Sequence, residues 1–328
     1  MAEIAFEVLA AGLEAVRGTA IAPTAILPFK GSLAPMEEEY IPDESRGTLH
    51  EQYRSAVVRR WSEWEGEGGA DAKLAPFVFS LWAKYVAAPT TPATATITRR
   101  WEYIDLGTSD GIKTATMLWK DPNDGKVFQA PFCYLEELTI SSDSSGTDGV
   151  TWSGSGWGQA LSLITTPAMP AQLIGSILIP ARKKVFLDLM SGTIGTTQVN
   201  DVVSVETTMS NNISPKFFDN VNLTYTRIGR GKRSMTQTFV MEYNEAIYNQ
   251  TQAIPAVPIA FRVRYEGDVI EGAFLEYIEA DTYGRLKFEG WEENFDTNRG
   301  MRLSVTSRVN PAIGSGWRLA AQNTQTTV

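Results

Sequence analysis

Thiol and imidazole side chains are nearly missing from this chain. Among 328 residues there is one cysteine, Cys133, and one histidine, His50. A single cysteine excludes an internal disulfide, and within the apolar run PFCYL it reads as a buried, inert thiol. One histidine and one cysteine are a poor basis for a metal centre. A Ser-His-Asp arrangement would have to use His50, in RGTLHEQY, with no nucleophile motif nearby. Long apolar runs are absent as well. MAEIAFEVLAAGLEAVRG at the N-terminus has a short one, but with Glu3 and no basic lead it reads as neither signal peptide nor membrane span. The expectation is a chain that folds in a reducing cytoplasm. Basic residues occur only in short pieces (Arg59-Arg60, Arg99-Arg100, Arg182-Lys183-Lys184, Arg230 to Arg233), against a formal charge of −9. Tight binding to nucleic acid needs the opposite balance.

Three loops imitate cofactor motifs and fail on spacing. GRGKRSMTQTFVMEY, Gly229 to Tyr243, begins like a phosphate loop. Arg233 follows Gly231-Lys232 where Ser or Thr is needed, however, and an alternating strand follows instead of a helix. GSGWG, Gly154 to Gly158, lacks the βαβ setting of a dinucleotide site and reads as glycine packing beside Trp152 and Trp157. DPNDG lacks the distant glutamate of a calcium loop and reads as a hairpin turn. Acids are dense in MEEEYIPDE (Met36 to Glu44) and WEENFD (Trp291 to Asp296), where paired carboxylates would be the one route to hydrolysis; such runs are usually solvated faces. No catalytic, cofactor or metal constellation emerges.

What the sequence does have is alternation. IAFRVRYE (Ile259 to Glu266), VVSVETTM (Val202 to Met209), MTQTFVMEY (Met235 to Tyr243), MRLSVTSRV (Met301 to Val309) and AVVRRWSEWE (Ala56 to Glu65) each place apolar side chains on one face and polar ones on the other. That pattern suits antiparallel sheets. Asp121 to Lys126 and Tyr265 to Val269 read as hairpin turns. Helical spacing is confined to Asp71–Val86, with Leu74, Phe77, Val78, Leu81, Trp82 and Tyr85 on one face, and to the shorter Glu242–Gln250. The order strand, long loop, strand, helix, Pro/Ala/Thr linker, hairpin, strand recurs in the two halves, with linkers at Ala87–Ala95 and Gln252–Pro258. VFQAPF (Val127 to Phe132) and VIEGAF (Val269 to Phe274) are the matching segments after them. The expected architecture is mainly β: two β-sandwich or curled-sheet units in tandem, residues 1–165 and 166–328, each with about one packed helix, divided within Ser162–Leu173.

FLDLMSGTIGTTQV (Phe186 to Val199), VVSVETTMSNNISPKFF (Val202 to Phe218) and GRGKRSMTQTFVMEYN (Gly229 to Asn244) resemble the tail tube (major tail) proteins of long-tailed, non-contractile bacteriophages. GLEAVRGTAIAPT near the N-terminus and the closing strand RLSVTSRVN are similar as well. Between about 37 and 159 only the order of elements matches; the acidic loop Met36–Glu44 and the extra length around Ala87–Arg100 have no place in the family pattern. The resemblance implies a virion protein that forms rings around a lumen wide enough for duplex DNA and stacks them into a tube. It also implies assembly in the host cytoplasm with tape-measure and tail-tip or terminator proteins. DNA would pass without sequence-specific binding, and no membrane would be involved. Two units per chain would make the ring a trimer with pseudo-sixfold symmetry. Rival expectations are a capsid decoration protein or other tail component, a carbohydrate-binding or adhesin module, and, more distantly, a hydrolase using the paired acids.

Two sets of residues carry this reading. Met235, Phe239 and Tyr243 are expected to face the core, and Thr236, Thr238 and Glu242, with Glu206 on the neighbouring strand, the lumen. Ser210–Ser234 is expected to be a long connection without its own structure, reaching the next ring through Phe217 and Phe218 and pairing Arg230, Lys232 and Arg233 with Glu37, Glu38 and Glu39. The competing expectation is a loop whose phenylalanines fold back onto their own core.

Overall fold

A computed structural model describes residues 8–41, 55–104, 111–121, 125–165, 167–218, 221–254, 256–292, 300–311 and 314–328. His50, the end of the Met36–Glu44 stretch, the middle of the Asp121–Lys126 turn and most of the Trp291–Asp296 acids lie outside the described residues. The first half of the chain forms β1 (Val8–Leu13), β2 (Ala25–Leu27), β3 (Lys30–Tyr40), β4 (Ala56–Gly69), α1 (Ala75–Trp82), β5 (Arg99–Ile104), β6 (Ala115–Lys120), β7 (Val127–Asp143), β8 (Thr151–Gly158) and β9 (Ser162–Ile164). The second half forms β10 (Lys183–Leu189), β11 (Gln198–Val199), β12 (Val202–Ser210), β13 (Ile213–Lys216), β14 (Arg227–Arg230), β15 (Ser234–Glu242), α2 (Glu245–Gln252), β16 (Pro258–Glu271), β17 (Phe274–Glu292), β18 (Gly300–Ser307) and β19 (Trp317–Asn323). The protein is mainly β, as the alternation implies.

All the described strand pairs are antiparallel, and they fall into the same sequence twice. In the first half β1 pairs with β2 and β6, β3 with β4, β4 with β8, β6 with β7, and β7 with β8 and β9. In the second half β10 pairs with β11 and β16, β12 with β15, β15 with β18, β16 with β17, and β17 with β18 and β19. The long strands β7 and β17 make this possible: the start of each belongs to a smaller sheet and the rest to a larger one. Two described pairs join the halves, β5 with β19 and β7 with β12, and through the second β3–β4–β8–β7–β12–β15–β18–β17 form eight consecutive strands.

Hydrophobic burial holds the layers together, with one apolar cluster running through both halves. Trp82 of α1 lies 4.3 Å from Trp317 of β19 between ring centroids, and Phe239 stacks on Phe261 at 4.4 Å. Helix α1 is shorter than the Asp71–Val86 pattern, and all eight of its residues are buried instead of one face. Its apolar sequence APFVFSLW makes this possible, and Tyr103 Oη (3.0 Å) and Ser80 Oγ (2.7 Å) both donate to the Pro76 carbonyl. Helix α2 begins later than expected, because Glu242 completes β15 and Asn244 caps the helix by accepting from Ile247 N at 3.2 Å.

Tyr265–Val269 is not a turn. It lies inside β16 as a register irregularity between Glu266 and Val269, and the reversal comes at Gly272, whose φ of 54° suits glycine. VIEGAF therefore spans that reversal, whereas VFQAPF opens a strand, and the two segments are not structurally matched. GSGWG lies in β8, and its glycines are packing positions. A Cβ on Gly156 would sit 1.9 Å from the Tyr134 carbonyl oxygen and 2.7 Å from Trp64 Nε1. Cys133 is fully buried, and the loss of hydration there raises its thiol pKa well above the ordinary value. Ser210–Ser234 has structure of its own, the two-stranded hairpin of β13 and β14.

Candidate functional site: a polar sheet face and two open edges

Alternation along eight paired strands gives the large sheet two unlike faces. One cross-strand row runs Trp152, Ile140, Thr207, Gln237, Val305, Leu286 and is buried. The row beside it crosses the whole sheet as Lys30, Glu67, Ser153, Thr139, Thr208, Thr236, Thr306, Arg285, and none of these side chains is buried. Two positions further along the strands, Thr151, Ser141, Glu206, Thr238, Ser304 and Lys287 stand in line. The structure therefore brings Glu206 directly opposite Thr238 and puts Thr236 and Glu242 on the same face of β15. That face is rich in hydroxyls, not uniformly acidic, and carries both signs of charge: Lys30, Glu65, Glu67, Glu137 and Glu206 on β3 to β12, and Glu242, Arg302, Arg285 and Lys287 on β15 to β17.

Met235 and Phe239 point into the core as expected, but Tyr243 does not. It is 45% exposed and joins an aromatic group with Tyr248, Phe288 and Trp291, whose neighbouring ring centroids lie 4.9–6.1 Å apart. This group lies at the end of β17, where Leu286–Glu292 has β18 on one side and no strand on the other among the described residues. At the opposite limit of the sheet, β3 pairs only with β4 among the described residues. Sequence reading missed both open edges. The available signal was Phe288 and Trp291 in LKFEGWE, two large aromatics three apart around Gly290 on an otherwise polar strand end.

Several of the residues expected to bridge rings have partners within the chain. Phe217 is half-buried, with ring centroids 5.9 Å from Trp61 and 6.0 Å from Tyr225, and Arg59 lies over its ring at 5.2 Å. The hairpin is fastened to the first half by Tyr225 Oη donating to Phe132 O (2.6 Å), Arg60 N to Leu223 O (2.8 Å) and Gln159 Nε2 to Tyr225 O (2.8 Å). Phe217 has thus folded back, while Phe218 is 53% exposed beside Arg227. Glu38 pairs with Arg59 at 2.9 Å and Glu37 with Arg60 at 3.6 Å on their own hairpin. Lys232 is exposed, Arg233 is half-buried, Glu39 is exposed past a register shift in β3, and the Arg230 side chain lies outside what the structure describes.

Besides the β7–β12 pair and the fastened hairpin, three more features tie the halves together. The extra length after α1 carries β5, which pairs with β19 of the second half. Just before it, the Glu271 carboxylate accepts from the backbone N–H groups of Thr96, Ile97 and Thr98 at 2.6–3.1 Å and from both threonine hydroxyls. These hydrogen bonds, led by the Thr96 and Thr98 side chains, hold the Glu271 pKa far below the usual carboxylate range. The third feature is a buried ion cluster. Asp281 and Glu279 are fully buried; Arg262 reaches Asp281 at 2.7 Å, Arg318 reaches Asp281 at 2.8 Å and Glu102 at 3.0 Å, and Arg264 and Arg318 both bond Glu279. Burial alone would lower the Arg318 pKa, but Asp281, Glu279 and Glu102 outweigh it and raise it. Compared with models of known protein families and with curated protein sequences, the chain has no match.

Proposed function

We propose that the chain is a structural subunit of a bacteriophage tail tube, with no enzymatic role. Copies stand side by side in rings, and stacked rings enclose a lumen through which genome DNA passes. The observation that carries this reading is the β7–β12 junction. There, two halves with the same pairing order join edge to edge and present one continuous polar face. A duplicated unit joined this way is already a third of a pseudo-sixfold ring, so three chains complete it. Residues 1–165 and 166–328 are then the two tube units, and the polar face, with Glu206, Thr236, Thr238 and Glu242, lines the lumen.

The composition of that face fits a conduit. Each phosphate that a protein neutralises adds affinity; on this hydroxyl-rich wall carboxylates accompany Lys30, Arg285, Lys287 and Arg302, and Arg302 is already paired with Glu292, so few cations are left to grip DNA. Ring stacking falls to the loops at the rims, where Phe218 and Lys232 are exposed. The same reading makes the protein a virion component, assembled in the host cytoplasm with tape-measure and tail-tip or terminator proteins.

Negative-stain electron microscopy of the purified protein over a range of concentrations tests this. Hollow tubes, or rings with a central channel and near-sixfold averages, are expected. Particles that remain single at every concentration, and are not incorporated when tail-tip proteins are co-expressed, would overturn the reading.

A further inference from the structure

The chain carries its own template for a junction between copies. Within the second half, Val205, Phe239, Leu303 and Phe288 are cross-strand neighbours. Leu33, Trp64, Gly156 and Leu135 form the matching row of the first half. The two rows are anchored to each other because each ends one residue before a bulge, between Phe288 and Gly290 in β17 and between Leu135 and Glu137 in β7. In the row of the first half Leu33, Trp64, Gly156 and Leu135 are all buried. In the row of the second half Val205, Phe239 and Leu303 are buried, and Phe288, at the open edge, is half-exposed.

This alignment maps the covered edge onto the open one. Leu138, three residues past Leu135, lies opposite Met209, four residues past Val205, and both are 0% exposed. Their counterparts are Trp291, three past Phe288, and Glu37, four past Leu33. Trp291 is 42% exposed and Glu37 lies on an edge with no second strand among the described residues. The in-chain junction thus covers one copy of each edge, and among the described residues no strand pairs with the other copy. An unpaired strand edge with half-exposed aromatics beside it is a template for another strand.

We propose that Leu286–Glu292 of one chain pairs antiparallel with β3 of a second copy, in the register that β7 and β12 use within the chain. Trp291 then stands opposite Glu37, Glu292 opposite Met36 and Gly290 opposite Glu38. The occupant of the open edge is a second copy of this chain, because the matching edge is already filled by the matching strand. The seam rests on the ring reading and adds to it the two edges and their register. Inside the chain the tie between halves is reinforced by β5 and Glu271, which have no counterpart at the seam. The seam is therefore the weaker of the two junctions.

Residues directly opposite in an antiparallel pair have Cα atoms roughly 4.5–5.5 Å apart, within disulfide reach. A chain with Met36→Cys and Glu292→Cys should give covalent dimers and trimers on mild oxidation, while either single substitution gives no trimer. Cys133 is buried and adds no background. Trp291→Glu, which sets a carboxylate opposite Glu37, should abolish rings while leaving the monomer folded by circular dichroism, and adding Glu37→Lys should restore them. Tubes that form without the cross-link, or that cross-link only through Glu38→Cys with Glu292→Cys, would overturn the seam but leave the tube reading standing. If the wild-type chain never associates and no cross-link forms, both fall.

Discussion

Asp281 and Glu279 show how strongly one side chain can be committed to its neighbours. Both are fully buried, and each takes part of its compensation from Arg318. Removing one partner from a buried ionic group leaves the other charge uncompensated and typically costs about 3–5 kcal/mol. Arg318→Met leaves Asp281 with Arg262 and Glu279 with Arg264, so the unfolding free energy should fall by no more than about that amount, seen in equilibrium unfolding as a lower midpoint at an unchanged slope. Lys183 makes a second case with the opposite sign. Its ammonium donates to Val203 O at 2.5 Å and Ser144 Oγ at 2.9 Å, and burial lowers its pKa to about 8 despite the favourable charge of Asp143. Between about 8 and the ordinary lysine value the unfolded chain holds a proton that the folded chain has released. Stability contributed here rises with pH through that window. Lys183→Met should flatten the rise, as thermal unfolding followed from pH 7 to 10 will report.

At the scale of elements, the clasp on residues 96–98 is the piece most open to a local test. Glu271 has a depressed pKa, so its contribution is complete above the ordinary carboxylate range and is lost only as pH falls through the much lower folded value. Glu271→Gln should leave the sheets intact and speed hydrogen exchange at the amides of Thr96, Ile97 and Thr98, with little change at β16; unchanged exchange there would contradict the clasp. This segment was also where the sequence was least readable. Period-two strands such as β12, β15 and β18 show plainly in the sequence because one of their faces is solvated, and so does the order of elements in each half. β5 and the β13–β14 hairpin do not, because what makes them strands is a partner far away in the chain, β19 for one and the Trp61–Trp157 surface for the other. The residues forecast for the polar face were legible from alternation alone. The in-chain pairs of Glu37 and Glu38 were not: Arg59 and Arg60 lie across the hairpin from Glu38 and Glu37, and nothing in a linear reading ranks them above the arginines of the 230–233 loop as partners.

For the molecule as a whole, the pairing order is nearly the same in both halves, but the extra strand is not. β5 reaches from the first half to the second, and the second half sends nothing comparable onward, because only Ala253–Val257 separates α2 from β16. The two units are therefore alike where they form the large sheet and different in the smaller sheet to which β19 and β5 belong. In a ring of three chains this asymmetry would divide the symmetry by radius. Averages of end-on views would show six equal lobes around the channel but only three distinct features at the periphery. A neighbour that reads the inside of the tube would then meet six equivalent positions, and one that grips the outside only three.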